Sequence, residues 1–184
     1  MKKYYKKPLS LVLVAAMVLT FVGTGVVNQE KSVKAAADYG LKNPRTENGV
    51  TTWDKIKFGS YNQTAVFEPE PIKWRVLSVN GNDAFLLADQ CLDAKPYNDK
   101  NEDVTWETCT LRKWLNKDFY NEAFRENEKK AIQQTTVVNE DNEKHGTEGG
   151  NDTKDNVFLL SIAEAKNSAV SYTHLRAHET LSDL

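Results

Sequence analysis

Residues 105–124 read TWETCTLRKWLNKDFYNEAF, and the arrangement of the rest of the chain follows from them. Trp106, Leu111, Trp114, Leu115, Phe119, Ala123 and Phe124 recur at three- and four-residue steps, the spacing that stacks side chains on one face of a helix. A ridge of that size has to be buried. Thr105 or Thr108 is the expected N-cap, and Asn116 is expected to close a first helix before a second begins near Asp118. Glu122, Glu126, Glu128, Lys129 and Lys130 read as a solvated face. No catalytic constellation stands beside the ridge.

On the N-terminal side of the ridge the pattern is that of a sheet. Ile56 to Tyr61 reads as a short strand ending in a turn. Pro69 and Pro71 hold the chain extended before Ile72 to Val79, where Ile72, Trp74 and Val76 alternate with Lys73 and Arg75. Asn80-Gly81-Asn82-Asp83 is a hairpin signal, and Ala84 to Ala88 is the returning strand, apolar on both faces and so expected inside the sheet. Residues 38–50, with Gly40, Pro44 and Gly49, read as a leader or linker. Beyond the ridge, Gln133 to Val138 reads as a strand and Asn139 to Asn156 as a long acidic loop without the ligand offsets of a calcium-binding EF-hand. Val157 to Leu160 is a further buried strand. Ser161 and Glu164 fit a capping box that starts another helix.

The two ends read differently from the middle. Residues 1–37 have the three parts of a secretory signal: Lys2, Lys3, Lys6 and Lys7, an apolar run from Leu9 to Val27, and Ala35-Ala36-Ala37, with cleavage expected after Ala37. At the other end, Ser171 to Thr180 reads SYTHLRAHET. His174 and His178 stand four apart, as in a metal-binding helix, but the stretch resembles the translation of a transposase-type sequencing adapter. Residues 169–184 are therefore expected to be an artefact, and residues 51–168 the N-terminal part of a longer domain. No metal and no cofactor is expected.

Residues 38–168 hold 17 Lys+Arg against 23 Asp+Glu, a net charge of −6 with histidine neutral. That sign argues against a nucleic-acid partner, which needs a basic stripe to displace phosphate counterions, and against attraction to anionic lipid. Contact with a membrane is expected only through the signal segment. Cys91 and Cys109 are the only thiols; in an exported chain they could form one disulfide or stand as a pair of small buried thiols, and with His145 they do not make a zinc site.

Several motifs occur in a fixed order: Ile72-Lys-Trp74-Arg-Val-Leu-Ser78, Thr105-Trp106, Leu111-Arg112-Lys-Trp114-Leu115-Asn116, Phe119, Phe124, Thr153-Lys-Asp155, Phe158-Leu-Leu-Ser161 and Glu164. Over about Ile56 to Lys166 this order resembles a secreted domain-of-unknown-function family of Gram-positive bacteria, more distantly similar to formylglycine-generating-enzyme and C-type-lectin-like domains. The resemblance implies an α+β, C-type-lectin-like fold of which only the N-terminal portion is present, with an unpaired sheet edge. It implies an exported or cell-surface, non-catalytic module for a glycan or a surface protein. The alternatives are an oxidase-like enzyme whose reactive cysteine pair lies in a missing half, or a structural spacer. Arg112 and Asn116 are expected to be structural: Arg112 tying the helix to the sheet or to a carboxylate, and Asn116 capping a helix end. Trp53, Trp74 and Trp114 are expected in the core.

Overall fold

The computed structural model describes residues 15–20, 41–64, 68–80 and 83–166, the first of these by their backbone alone. The cleavage position after Ala37, the hairpin residues Gly81 and Asn82, and the whole of 169–184, with His174 and His178, lie outside the described residues.

The fold is α+β and mostly strand. A five-stranded sheet has the order β4-β5-β6-β1-β9, where β1 is Ala15–Thr20, β4 Ile56–Tyr61, β5 Glu70–Asn80, β6 Asp83–Ala88 and β9 Val157–Leu159. Every neighbouring pair in it is antiparallel. Two small hairpins accompany it: β2 (Arg45–Glu47) with β3 (Val50–Thr52), and β7 (Thr135–Val137) with β8 (Thr153–Asp155). Among the described residues, no helix is long and apolar enough to cross a membrane.

The alternation in Ile72 to Val79 becomes β5. Ile72, Trp74 and Val76 are buried, while Lys73 between them is exposed. Asn80 pairs with Asp83, so β5 and β6 are joined by a two-residue connection, the length that suits the strands' own twist. In β6, Ala84, Leu86, Leu87 and Ala88 are all buried.

The ridge forms one rod, α1. It is α-helical over Thr110–Trp114, widens to a π-helical turn over Leu115–Phe119, and is α-helical again over Tyr120–Ala123. The expected break at Asn116 is therefore absent. Instead of ending the helix, the Asn116 side chain reaches into its hydrogen-bond ladder, donating from Nδ2 to the carbonyl of Arg112 at 3.2 Å, the kind of intrusion that distorts a helix locally. Leu111, Leu115, Phe119 and Ala123 are all buried at four-residue steps. In a regular helix that step drifts by about 40° each time; the wider turn takes up part of the drift and keeps the stripe on the sheet.

The N-cap also differs from expectation. Thr105 and Thr108 bond to each other in the turn before the helix, and the cap is Cys109, whose thiol sulfur accepts from Arg112 N–H at 3.4 Å. Cys109 is fully buried, a place where a small weakly polar thiol is easier to accommodate than a hydroxyl with unmet hydrogen bonds. Ser161 and Glu164 do form the reciprocal capping box, at the start of the short helix Ile162–Ala165.

Of the stretch read as a leader or linker, residues 41–50 belong to the fold. Leu41 is only 2% exposed and belongs to the core, and the hairpin β2–β3 turns at Asn48 and Gly49, both with positive φ. Three-residue strands with exposed threonines leave no apolar alternation to read, so this hairpin was invisible in the pattern. The apolar run of the expected signal segment likewise supplies a strand, β1, because an apolar extended stretch satisfies two sheet edges as readily as it suits export.

The core is an aromatic cluster between α1 and the sheet. Phe124 lies 5.5 Å from Phe58, 6.4 Å from Trp74 and 6.0 Å from Phe119, measured between ring centroids. Trp74 is fully buried and donates its indole N–H to the Phe58 carbonyl at 2.7 Å. Trp53 and Trp114 are only partly buried against this cluster. At the bulge in β4, Gly59 has φ +70°, and a Cβ there would lie 2.6 Å from the Phe124 ring. At one end of the sheet the buried Asp89 carboxylate joins Lys55 (2.8 Å) and Arg75 (3.2 Å).

Two outcomes follow from these contacts. Gly59→Ala should lower stability by at least about 2 kcal/mol in urea denaturation, combining left-handed strain with a clash against a packed ring. Burial pushes the Asp89 carboxyl up, but the hydrogen bonds from Lys55 and Arg75 outweigh it and hold the group below the ordinary 3.8. Because the folded pKa is depressed, the group stabilises the fold above pH 3.8 and loses that contribution as the pH falls below it. Asp89→Asn should therefore flatten the acid limb of stability against pH and cost on the order of 1 kcal/mol near neutrality, since Lys55 is half exposed. Urea midpoints measured from pH 2 to pH 7 would check it.

Candidate functional site

The polar residues of the ridge converge on one buried carboxylate. Asp155, at the end of β8, is 1% exposed. Its Oδ1 accepts from Arg112 Nε at 2.7 Å; its Oδ2 accepts from the Trp106 indole N–H at 2.9 Å and from the Thr153 hydroxyl at 2.6 Å. Arg112 also donates to backbone, to the carbonyls of Glu107 (3.1 Å) and Lys154 (3.4 Å). Asn116 is used in full. Its Oδ1 accepts from the N–H groups of Asn156 and Val157, and its Nδ2 donates to the Val157 carbonyl as well as to Arg112.

Asn116 thus has no side-chain hydrogen-bonding capacity left for a ligand, and Arg112 has three of its five N–H groups engaged within the fold. Together they fasten α1 to the chain running from β8 into β9. Arg112 ties the helix to a carboxylate, and Asn116 spans two segments rather than capping a helix end. Asp155 itself is recognisable from sequence only as a charged residue two positions before the apolar run at Val157; nothing in that pattern says it is buried. Trp106, Leu111, Leu115, Phe119 and Phe124 line the inner side of the same helix region and Trp74 faces them from β5, while Ser161 and Glu164 cap the helix beyond β9.

The outer side of α1 is where a surface concavity lies. An open cleft of about 590 Å³ runs between the start of α1 and the loop before it, lined by Lys95, Asp99, Lys113, Trp114, Lys117 and Asp118 among others. Trp114 is the centre of it. One part of its ring packs on Phe119, 5.5 Å between centroids, and Lys95 Nζ stands 4.7 Å from the ring centroid, within cation–π distance. The loop is stitched to the helix start. Thr110 N–H donates to Asn98 Oδ1 (3.1 Å), Asp99 N–H donates to the Thr110 hydroxyl (3.0 Å), and Leu111 N–H donates to the Tyr97 carbonyl (3.2 Å). These contacts satisfy N–H groups that a helix start leaves without intrahelical partners, and they fix the cleft's two walls together.

Over residues 81–182 the chain matches the family described as Domain of unknown function (DUF6273). That span is more than half of its 184 residues. The chain belongs to this family. No curated protein and no solved structure matches it. The DUF6273 match begins in the β5–β6 connection and runs to residue 182, so it starts later than the resemblance placed on 56–166 and extends into the tail read as an artefact. Within the matched span lie α1, the Asp155 network, the cleft and the capping box. Trp74 and the strands β4 and β5 lie before it.

The two cysteines of the DUF6273 chain are both free. Burial pushes the Cys109 thiol above its ordinary range, and its sulfur is engaged as the helix cap while its S–H donates to the Trp106 carbonyl at 3.4 Å. A buried thiol of that kind is a poor nucleophile. In the acidic loop between β7 and β8, Asp141 and Asp152 accept from the backbone N–H groups of Gly149 (2.8 Å) and Asn139 (3.1 Å), so their oxygens brace the loop itself. Among the described residues, no group of three or more His, Cys, Asp or Glu side chains is placed to hold a metal ion.

Removing Asp155 would strand Arg112 and leave the Trp106 and Thr153 donors unmatched. Asp155→Ala should cost about 3–5 kcal/mol, the penalty for breaking a buried ion pair from one side. Trp114→Ala, at a partly buried position on the outer side of the helix, should cost clearly less. Equilibrium urea unfolding of the two variants side by side tests that order.

Proposed function

We propose that this domain is an exported, non-catalytic binding module, lectin-like in architecture, whose cleft outside α1 takes a glycan chain. The observation that carries the reading is Trp114: a partly buried aromatic ring in the wall of a cleft, backed by Phe119 and flanked by Lys95, on a helix tied down by Asp155 and Asn116. A flat apolar face bordered by a few polar groups suits the alternating apolar and hydroxyl faces of a sugar ring. The side chains of Lys113, Lys117 and Asp118 are exposed at the same cleft, so their heads can turn to hydroxyls or to an acidic substituent on the ligand.

Three further points support the reading. The order of basic, apolar and small residues over 1–37 fits export. The acidic balance of the rest is wrong for nucleic acid. The one fully buried cysteine serves the helix start, which leaves it no part in thiol chemistry. A surface-protein ligand would be expected to use a larger apolar patch than this cleft offers.

The test is retention of the full chain on an array of bacterial and host glycans, followed by titration of whichever glycan is held. Trp114→Ala should weaken that binding by at least about tenfold, or 1.4 kcal/mol, with the far-ultraviolet circular dichroism unchanged. Lys95→Met should weaken it less. If no glycan is retained, or if Trp114→Ala binds as well as the parent, the reading is wrong.

A further inference from the structure

The Trp114 ring in the cleft wall already has a cation over it. Lys95, from the loop before α1, holds its ammonium 4.7 Å from the ring centroid, while Phe119 packs against the same ring from within the fold, 5.5 Å between centroids. Lys95 and Trp114 are both only partly exposed. The loop that carries Lys95 is bonded to the helix start through Tyr97, Asn98 and Asp99, so the lysine stem rises from a fixed point beside the ring. A sugar that stacks on Trp114 therefore has to move the Lys95 head first.

The charges around the ring decide which sugar gains from that displacement. Lys113 and Lys117, both exposed, stand four residues apart on α1, and with Lys95 they put three ammonium groups on the lining against the two carboxylates of Asp99 and Asp118. That balance is the reverse of residues 38–168 as a whole, which hold 17 basic and 23 acidic side chains. Like charges four apart on a helix repel, and an anion set between them relieves the repulsion. For the displaced Lys95 head the ligands differ in the same sense. A neutral sugar takes the ring face and leaves the ammonium to water. A sugar bearing a carboxylate or a phosphate offers it a charge-assisted hydrogen bond as it leaves the ring. Asp99 and Asp118 supply acceptors for sugar hydroxyls, which a lysine cannot.

We propose that the cleft selects acidic glycans and that Lys95 is the selecting residue, covering the Trp114 ring until an anionic group on the sugar draws its ammonium aside. This rests on the glycan reading of the cleft. The chemistry required is a sugar ring with an apolar face to lie on Trp114 and an anionic oxygen group at its edge to meet Lys95; a uronate and a phosphorylated sugar both have it. Removing the Lys95 charge acts oppositely on the two classes of sugar. It uncovers the ring for a neutral chain and takes the partner from an acidic one. A lysine that only walled the cleft would act on both alike.

The experiment titrates the full chain, by calorimetry in low-salt buffer, with three matched hexasaccharides: alternating N-acetylglucosamine and glucuronate, the same chain carboxyl-reduced to neutral glucose, and the reduced chain phosphorylated at the glucose 6-hydroxyl. At least one charged form should bind about tenfold tighter than the neutral one, and the tighter of the two names the acidic group. Raising the ionic strength to about 0.5 M should remove most of that difference. Lys95→Met should weaken the charged form about fivefold and bind the neutral form at least as well as the parent does, whereas Lys95→Arg, which keeps a cation over the ring, should keep the preference. Equal binding of neutral and charged forms, or a Lys95→Met variant that weakens all three alike, overturns the selection and leaves the glycan reading standing. Binding of none of the three, or parent-like binding by Trp114→Ala, overturns both.

Discussion

A single carboxylate, buried to 1% exposure, decides how helix and sheet meet in this protein. Asp155 is reached by three donors from two parts of the chain: an arginine and an indole from around α1, and a hydroxyl from its own strand. A buried charge is tolerable only when it is paired and its remaining lone pairs are met. Here they are met by groups with one geometry available to them, so the carboxylate specifies the angle of α1 against β8 and β9 as well as tying them together. Among the described residues, no buried side-chain nitrogen or oxygen is left without a partner. The apolar stripe then has one place to go.

The consequences spread in both directions from that joint. On the inner face, Leu111, Leu115, Phe119 and Ala123 meet Trp74 and Phe124 in the aromatic core. On the outer face, Trp114 is lifted to the wall of a cleft whose opposite wall is bonded to the helix start. Rigid support on one side and a partly accessible ring on the other is the combination that preorganises a binding surface, because little ordering remains for a ligand to impose.

How much of this was legible in the residues depended on whether the signal was periodic. The ridge, the β5–β6 hairpin, the apolar strand Ala84–Ala88 and the Ser161 capping box could all be read, since each repeats at a helix or strand interval or uses a local cap. Asn116 was misread, because its type and place suit a helix end while its bonds go to residues 156 and 157, forty positions away, which no local rule reports. Asp155 could be placed in a motif but not in the interior; burial of a charge is a property of its partners. The hairpin at 45–52 carried too few apolar residues to show a period. Ala15–Thr20 is a different case: its hydropathy is strong, and the same property serves an exported leader and an interior strand of the sheet.

The wide turn in α1 has a bearing on how such a chain can change over time. Leu115–Phe119 amounts to a helix that has absorbed one residue more than its neighbours need. Loss of a single codon within it would give a smoother rod and, by the same stroke, swing Tyr120 to Phe124 about 100° around the axis, away from Phe58 and Trp74. Substitutions can be tried in that segment one at a time, whereas its length is locked: a chain that keeps this core has to keep the count of residues between Arg112 and Phe124.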